Sequence, residues 1–349
     1  MGEHHLPVTE TGAGPGSVTP FPALSVAPML DVTDRHFRRF VRSISRHVLL
    51  YTEMVTEQAL RFGPADRLLA FSPEEQPLVL QLGGSDPDGL AVAVQQARAA
   101  GYGAVNLNVG CPSSRVQSGS FGACLMLDPG LVAELVAAMR SASPLPVTVK
   151  HRIGVDEHDS YPELLRFVDT VAEAGVTFFT VHARKAWLKG LSPKENRNIP
   201  PLEYGFVTRL VQDRPGLAFE LNGGVRDLGH AERLRQETGC HAVMLGRAVR
   251  DRPWVLAGAD PLLSGGEAPA DSEKAAVLDY LPYMEEMLGR GVPFRTLTRP
   301  LQGMFAGSPG ARRWRRLLNE TALRSDAGPD VLGSMLETAG SGHPAAVAP

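Results

Sequence analysis

The 349-residue chain has no long apolar segment and no strong excess of charge of either sign. A bilayer-spanning helix needs roughly 18 consecutive apolar residues, and no run in the sequence approaches that length. The first 20 residues lack a basic stretch followed by an apolar one, so they predict no secretory signal. We therefore expect a cytoplasmic protein that makes no membrane contact.

Cysteine is also scarce in this sequence. The chain contains Cys111, Cys124 and Cys240, which lie far apart and lack the paired spacing of structural zinc sites. Three scattered cysteines exclude a disulfide framework, and we predict no metal site. This pattern is typical of a protein from a reducing compartment.

Eight short apolar runs alternate with segments of helical pattern. Two of those segments begin with Asp-Pro, at residues 86 and 128, which is a common helix start. Near-continuous apolar runs are typical of strands buried on both faces of a parallel sheet. Their number and spacing predict an α/β fold, the (β/α)8 TIM barrel. The runs are residues 24–30, 48–55, 77–84, 104–111, 146–154, 177–185, 217–224 and 242–249.

The composition changes on either side of the predicted barrel, which we place at residues 21–260. Residues 1–20 are rich in Gly, Pro and Thr, and residues 326–349 are similar, so both predict flexible tails. After the barrel, apolar residues recur at helical spacing in residues 274–288. We therefore predict a small all-α helical domain over residues 270–325.

Two predicted loops, residues 112–127 and 186–201, are unusually long. Long loops inside a compact domain are usually functional, and the loops that follow barrel strands form the face that carries active sites. Polar side chains at the ends of the apolar runs are expected at the same face. They are Gln81, Asn108, Cys111, Lys150, Arg152, His182, Arg184, Asn222 and Arg247.

The turns after the last two predicted strands contain Gly223, Gly224 and Gly246. Barrels often bind phosphate there through backbone N–H groups, and glycine allows a phosphate to approach the backbone closely. The alternative is a pair of plain left-handed turns. We favour phosphate because the two turns occur together.

Three side chains at the predicted mouth have more than one interpretation. Lys150 has three interpretations. It is an ordinary surface lysine, or a lysine that forms a Schiff base with a substrate, or a fixed positive charge beside a cofactor that becomes anionic on reduction. His182 is structural or catalytic, and its place on the next strand favours the second. A free cysteine is usually a small buried apolar residue, but the position of Cys111 in a polar loop favours a reactive acid or nucleophile.

Residues 287–319 contain no Asp or Glu, although the whole chain has a net charge of −3. A charge run is most often a solvated helix face, but an acid-free stretch of this length favours RNA binding. Its arginines are Arg290, Arg295, Arg299, Arg312, Arg313, Arg315 and Arg316.

Over residues 22–325 the chain resembles the tRNA-dihydrouridine synthases. The segment HARKAWLKGLSPKENRNIP at residues 182–200 is similar to the branch that acts at positions 20 and 20a of the tRNA D-loop. The other motifs occur in family order and spacing. They are APM at 27–29, NLNVGCP at 106–112, VKHRIG at 149–154, TVHAR at 180–184, NGG at 222–224 and LGR at 245–247.

The resemblance implies a flavoprotein oxidoreductase, with FMN across the barrel mouth and NADPH as reductant. Pro28 and Met29 would border the isoalloxazine ring, and Gln81 would hydrogen-bond its polar edge. Lys150 would stabilise the reduced anion, and His182 would contact the cofactor. The ribityl phosphate would be bound by Asn222, Gly223, Gly224, Gly246 and Arg247.

The implied reaction reduces the C5–C6 bond of a uridine in the tRNA D-loop. Hydride passes from the flavin N5 to C6, and Cys111 protonates C5. The base must first be extruded from folded tRNA, and contacts to the tRNA must offset that cost. We expect a monomer without an obligatory protein partner. The implied tRNA-binding residues are Asn108, Lys194 and Arg197 in the barrel loops and Arg312 and Arg315 in the helical domain.

Three other functions stay open from the sequence alone. A flavin barrel similar to dihydroorotate dehydrogenase would act on a free small molecule, and the basic helical appendage argues against it. A Schiff-base aldolase would use Lys150 and need no flavin. A non-catalytic tRNA-binding protein would need only the basic residues. Barrels host many chemistries, so the fold by itself decides none of these.

Overall fold

The computed structural model describes residues 21–113 and 119–321, together with 328, 331–333 and 336. The described strands form one parallel nine-stranded sheet. The strands are β1 (Leu24–Val26), β2 (Leu50–Tyr51), β3 (Val55–Thr56), β4 (Leu78–Gly83), β5 (Ala104–Val109), β6 (Val147–Arg152), β7 (Phe178–His182), β8 (Ala218–Asn222) and β9 (Ala242–Leu245).

The sheet closes on itself as a barrel. Its order is β1-β9-β8-β7-β6-β5-β4-β2, and β3 also pairs with β4. At the seam, Leu49 N donates to Leu24 O at 3.1 Å and Val26 N donates to Leu49 O at 2.9 Å. With helices alternating along the chain, this arrangement confirms the predicted TIM barrel.

One predicted strand differs from the structure. The run at residues 48–55 forms two short strands, β2 and β3, rather than one. Between them the Thr52 hydroxyl, not a backbone carbonyl, accepts the Gln81 N–H at 3.0 Å. A side chain therefore interrupts the backbone ladder at this point.

Helices follow the strands and cover the outside of the barrel. The predicted Asp caps are present, since the Asp128 side chain accepts from Leu131 N at 3.0 Å and that of Asp86 accepts from Asp88 N at 3.2 Å. The helices are α1 (Arg35–Arg42), α2 (Glu57–Phe62), α3 (Ala65–Leu68), α4 (Pro87–Ala100), α5 (Pro129–Ala142), α6 (Tyr161–Glu173), α7 (Tyr204–Asp213), α8 (Leu228–Thr238), α9 (Arg247–Asp251), α10 (Ala259–Ser264), α11 (Glu273–Gly289), α12 (Phe294–Thr298) and α13 (Ala311–Thr321).

The barrel interior is apolar at its amino end and polar at its carboxyl end. Phe21 lies across the amino end, with its ring 4.9 Å from that of Phe178. A cluster that includes Tyr51, Val79 and Met244 fills the middle. This packing fills the barrel at the amino ends of its strands, so a ligand can enter only from the carboxyl ends of the strands.

The helical region, α11 to α13, packs against the barrel through α1. The Phe40 and Tyr280 rings lie 5.2 Å apart, and His36 Nδ1 is hydrogen-bonded to the Tyr283 hydroxyl at 2.8 Å. At Gly303 a Cβ would lie 2.6 Å from the Asp251 carbonyl oxygen of α9. Only glycine fits this contact, which brings the helical region close to the cavity described below.

Two features bear on the chain ends and on membranes. Residues 1–20 and most of the predicted C-terminal tail lie outside the described residues, although Leu332 and Leu336 are described and buried. In the described part of the chain, no helix combines the length and apolar character needed to cross a bilayer.

Candidate active site

A cavity of about 1440 Å³ opens at the carboxyl ends of the strands and extends to the helical region. Small-molecule pockets typically measure about 300–1,000 Å³, so this cavity has room for a cofactor and part of a second molecule. Arg290 and Thr296 contribute to its wall from the helical side. The predicted site residues in the wall are Pro28, Met29, Gln81, Asn108, Cys111, Lys150, His182, Arg197, Asn222, Gly223, Gly224, Gly246 and Arg247.

The other three predicted tRNA-binding residues lie outside this wall. Lys194 is exposed beside the wall residue Arg197, one turn earlier in the same loop. Arg312 and Arg315 are exposed on α13, whose opposite face buries Trp314. The structure thus separates a basic group at the cavity rim from a second basic surface on α13.

Side-chain amides fix one wall of the cavity. Gln81 is buried on β4 and donates from Nε2 to Asn106 Oδ1 at 2.8 Å. Its Oε1 accepts from Asn108 Nδ2 at 2.9 Å. An amide nitrogen carries two hydrogens, so Gln81 is held in one orientation with a second N–H available to a ligand.

Cys111 is held in place by Asn108. The Asn108 Oδ1 accepts from the backbone N–H groups of Gly110 and Cys111, each at 3.0 Å. The half-buried Cys111 thiol lies 3.5 Å from the Ser113 hydroxyl. The residues after β5 therefore present the Cys111 thiol to the cavity from a fixed backbone, as an acid or nucleophile requires.

Lys150 reaches across the barrel mouth to β8. Its Nζ donates to Asn222 Oδ1 at 3.2 Å, while Asn222 Nδ2 donates to Met244 O at 2.9 Å. Burial, with a smaller effect of Arg152, lowers the pKa of Lys150 to about 8. Lys150 is thus still mostly protonated at neutral pH, and it presents a poorly hydrated positive charge to the cavity.

His182 is neutral at physiological pH. Burial, reinforced by the nearby cations of Arg152 and Lys150, holds its pKa well below the ordinary histidine value. A neutral imidazole has one donor and one acceptor nitrogen. His182 can therefore hydrogen-bond a cofactor without adding a second charge beside Lys150.

The turn after β8 is built for close approach. Gly223 and Gly224 have φ of 117° and 70°, whereas Gly246 has φ −120°. A Cβ on Gly223 would lie 2.8 Å from His182 Cδ2, and the Gly223 carbonyl accepts from the Tyr204 hydroxyl at 2.7 Å. Of the two predicted phosphate turns, the first therefore requires glycine for its conformation.

Arg247 connects the second turn to the long loop after β7. Its guanidinium donates to Asn198 Oδ1 and, at 3.1 Å, to the Arg197 carbonyl. Arg197 lines the cavity beside it, and burial together with the Arg247 cation lowers the pKa of Arg197. Such a concentration of positive charge favours an anionic ligand.

Arg152 has a larger role than its sequence position suggested. It is 3% exposed, and it donates to Gly110 O at 2.9 Å and to Lys185 O and Asn196 O at 3.0 Å each. It thereby joins the Cys111 loop to the loop that carries Arg197. The sequence does contain a signal for this role. Arg152 is two residues after Lys150, and this spacing puts both side chains on the inner face of β6.

These residues fit FMN in shape and charge. The glycine turn leaves backbone space where a Cβ would collide with His182, which suits a phosphate-bearing ligand. Lys150 supplies a positive charge next to that turn, and Gln81 supplies a free N–H. Together with the barrel, they define the chain as a flavin-dependent oxidoreductase.

Comparison with known proteins identifies the family. The model for dihydrouridine synthase (Dus) matches residues 25–339, and the chain belongs to this family. Enzymes of the family are FMN-dependent and use NADPH as reductant. The family, the enzyme class and the cofactors predicted from the sequence are thus confirmed, whereas the roles of individual site residues stay predictions.

Curated relatives cover almost the whole chain. The tRNA-dihydrouridine(20/20a) synthase of Synechocystis sp. is 51% identical over 315 residues, which is 90% of this chain and 93% of the relative. The enzyme of the same name from Shewanella oneidensis is 51% identical over 308 residues, 88% of this chain and 91% of the relative. That of Yersinia pestis is 50% identical over 319 residues, 91% of each chain.

A solved structure shares the fold at low identity. The complex of 2-naphthoyl-CoA reductase with 2-naphthoyl-CoA superposes with a TM-score of 0.53 at 9% identity. The match covers 69% of this chain and 50% of that protein. At this identity the likeness concerns the fold alone.

Proposed function

We propose that this chain is a tRNA-dihydrouridine synthase that reduces uridine at positions 20 and 20a of the D-loop, with NADPH as reductant. The observation that carries the proposal is the cavity, where the predicted acid, the predicted cofactor residues and part of the predicted tRNA surface lie together. Relatives named for this activity, about half identical over most of the chain, support it. We further propose a monomer acting in the cytoplasm, where tRNA and NADPH occur together.

The cofactor residues bind and orient the flavin. When bound, FMN supplies the hydride chemistry. Asn222, Gly223 and Gly224 would hold its phosphate, and the free N–H of Gln81 would fix the polar edge of its ring. Lys150 would place a positive charge where negative charge develops on reduction. In a buried site such a charge stabilises an anion more than it would in water.

Cys111 would supply the proton for C5 of the uracil. Asn108 holds the Cys111 backbone at 3.0 Å, so the thiol would approach the base from a fixed backbone. Lys150, Arg152 and Arg197 line the same cavity as Cys111. The base would therefore meet the thiol beside a group of cations.

The direct test is a mass measurement of dihydrouridine in tRNA. Purified protein would be incubated with FMN, NADPH and tRNA from cells that lack dihydrouridine synthases. We expect new dihydrouridine at positions 20 and 20a, and none with free uridine as substrate. A yellow preparation that oxidises NADPH but forms no dihydrouridine would contradict the proposal and indicate a small-molecule flavin enzyme.

We expect the double variant Arg312→Ala, Arg315→Ala to bind tRNA more weakly and with less dependence on salt. Each phosphate that is no longer neutralised reduces the slope of log affinity against log salt by about 0.7–0.9. Removing two phosphate-binding arginines should therefore reduce the slope by about 1.4–1.8. The check is a set of binding isotherms at several salt concentrations.

A matched control for this variant removes the same charge elsewhere. Arg98 on α4 and Arg166 on α6 are exposed on the outside of the barrel. Their double alanine variant should bind tRNA with the slope of the parent protein. If the α13 variant and this control gave the same isotherms, α13 would not be part of the tRNA surface.

A further inference from the structure

A buried carboxylate that the proposed reaction does not use lies in the barrel below Lys150. Glu220 on β8 has no exposed surface. Its Oε1 accepts from the Ser25 hydroxyl and its Oε2 from the Thr180 hydroxyl, each at 2.6 Å. Burying a carboxylate is costly unless it is hydrogen-bonded and paired with a cation, so the position calls for a partner.

The strand register places Glu220 next to Lys150. Lys150 on β6 is opposite Thr180 on β7, and Thr180 is opposite Glu220 on β8. Adjacent strands lie about 4.8 Å apart, so the Lys150 and Glu220 backbones are two strands, about 10 Å, apart in the hydrogen-bonding direction. The Lys150 Nζ crosses β7 and ends on Asn222, the next inward-facing residue after Glu220. The ammonium therefore lies above the carboxylate.

The hydroxyl groups around Glu220 are arranged to stabilise its charged form. Ser25 and Thr180 each donate to a different oxygen of the Glu220 carboxylate. Burial raises the pKa of Glu220, and the Ser25 and Thr180 hydroxyls and the Lys150 cation oppose that rise. A hydrogen-bond donor on each oxygen stabilises the carboxylate, which can only accept.

The other titratable groups that face this pair carry no negative charge that could replace Glu220. Tyr51 and Cys240, near Glu220, have pKa values raised by burial and stay protonated. His182, beside Lys150, is neutral because burial lowers its pKa. Arg152 is a like charge that lowers the pKa of Lys150.

Cys111 is the remaining group near Lys150. It opposes the loss of the lysine proton only as a thiolate, the form that would follow proton transfer. In the described part of the chain, Glu220 is therefore the buried carboxylate that is placed to act as a counter-charge of Lys150.

We propose that Glu220 is a positioning residue, a fixed counter-ion that keeps Lys150 charged and so sets how strongly the site stabilises a reduced flavin. Its link to the flavin rests on the proposed function, whereas its link to Lys150 does not. Neutralising Glu220 removes the carboxylate that favours the lysine cation. Loss of one opposite charge at short range lowers a lysine pKa by about one unit or more.

The test measures the titration of Lys150 directly in the FMN-free protein. The chain contains five lysines, so labelling with ε-¹³C-lysine gives few NMR signals, and the signal that disappears in Lys150→Arg identifies Lys150. From a starting midpoint of about 8, we expect Glu220→Gln to shift it down by about one pH unit. At pH 8 the protonated fraction would fall about fivefold. Internal controls in the same samples, expected unchanged, are Lys185, Lys189, Lys194 and Lys274.

Two further variants keep the proposal falsifiable. Glu220→Asp retains a carboxylate and should restore most of the midpoint. If Glu220→Gln does not fold, Thr180→Val removes one donor from the carboxylate and should move the midpoint in the same direction. An unchanged Lys150 midpoint in a folded Glu220→Gln protein would overturn the proposal and leave Glu220 as a structural acceptor for Ser25 and Thr180.

A second readout connects Glu220 to the flavin. In the FMN-loaded Glu220→Gln protein the reduction potential should be more negative, with the largest difference from the parent about midway between the two lysine midpoints, near pH 7.5. A shifted lysine with an unchanged potential would overturn the second half of the proposal. Neither readout uses tRNA. Failure to form dihydrouridine would therefore count against the proposed function but not against the effect of Glu220 on Lys150.

Discussion

Replacing Cys111 with alanine should lower the rate of dihydrouridine formation by about 10²–10⁴-fold, the usual contribution of a general acid. FMN binding and NADPH oxidation should persist, because the reduction of a flavin by NADPH needs no thiol. The variant should therefore separate the two halves of the reaction. It would accept electrons and then fail to pass them efficiently to uracil.

The structure makes this a narrow change. Asn108 holds the Cys111 backbone rather than its side chain, so alanine keeps the loop in place. Among the described residues, the removed Sγ has one hydrogen bond, to the Ser113 hydroxyl at 3.5 Å. The measurement is a single turnover in which reduced enzyme is mixed with tRNA and both flavin oxidation and dihydrouridine are followed.

Cys124 provides the matched control for Cys111. It lies in the same long loop, and its thiol donates to the Phe121 carbonyl at 3.1 Å rather than to the cavity. Burial raises its pKa, and Cys124→Ala should react at nearly the parental rate. Parental single-turnover rates in Cys111→Ala would remove Cys111 from the mechanism.

The barrel could be predicted from the sequence because its signals are local. Each strand is a short apolar run, and the Asp-Pro starts of α4 and α5 mark where helices begin. The split of residues 48–55 into β2 and β3 could not be predicted in this way. It depends on the Thr52 side chain meeting a backbone N–H of Gln81, 29 residues later.

The candidate site divides in a similar manner. The motif residues were found because strand ends meet at one face of a barrel. Glu220 gave no signal, since one acidic residue in an apolar run does not reveal which hydroxyls and which lysine lie around it. The distance of Arg312 from the cavity was equally hidden, because spacing along the chain does not position one domain against another.

The turn after β8 is the most sensitive part of the predicted phosphate site. We expect Gly223→Ala to weaken FMN binding by about tenfold to a hundredfold, which corresponds to about 1.4–2.8 kcal/mol. Two causes act together. The φ of 117° is unfavourable for alanine, and the new Cβ would lie 2.8 Å from His182 and 3.0 Å from Leu202.

The contact could be relieved by a movement of His182 or by a movement of the turn, and either movement would disturb the cavity wall. Moving His182 displaces a side chain that faces the cofactor, and moving the turn shifts the backbone N–H groups of Gly223 and Gly224. The Tyr204 hydroxyl, which donates to the Gly223 carbonyl at 2.7 Å, resists the second movement. FMN affinity should therefore fall even where the barrel itself stays folded.

Gly101→Ala separates the steric effect from backbone strain. Gly101 ends α4 with φ 93°, and a Cβ there would find its nearest neighbour, Phe71, at an ordinary 3.8 Å. This control should lose some stability to heat yet retain FMN, whereas Gly223→Ala should purify with little flavin. The readouts are flavin absorbance per protein and FMN titration by fluorescence. Equal FMN affinity in the two variants would show that the phosphate is bound elsewhere, because the turn at Gly223 cannot accept a Cβ unless its backbone or His182 moves.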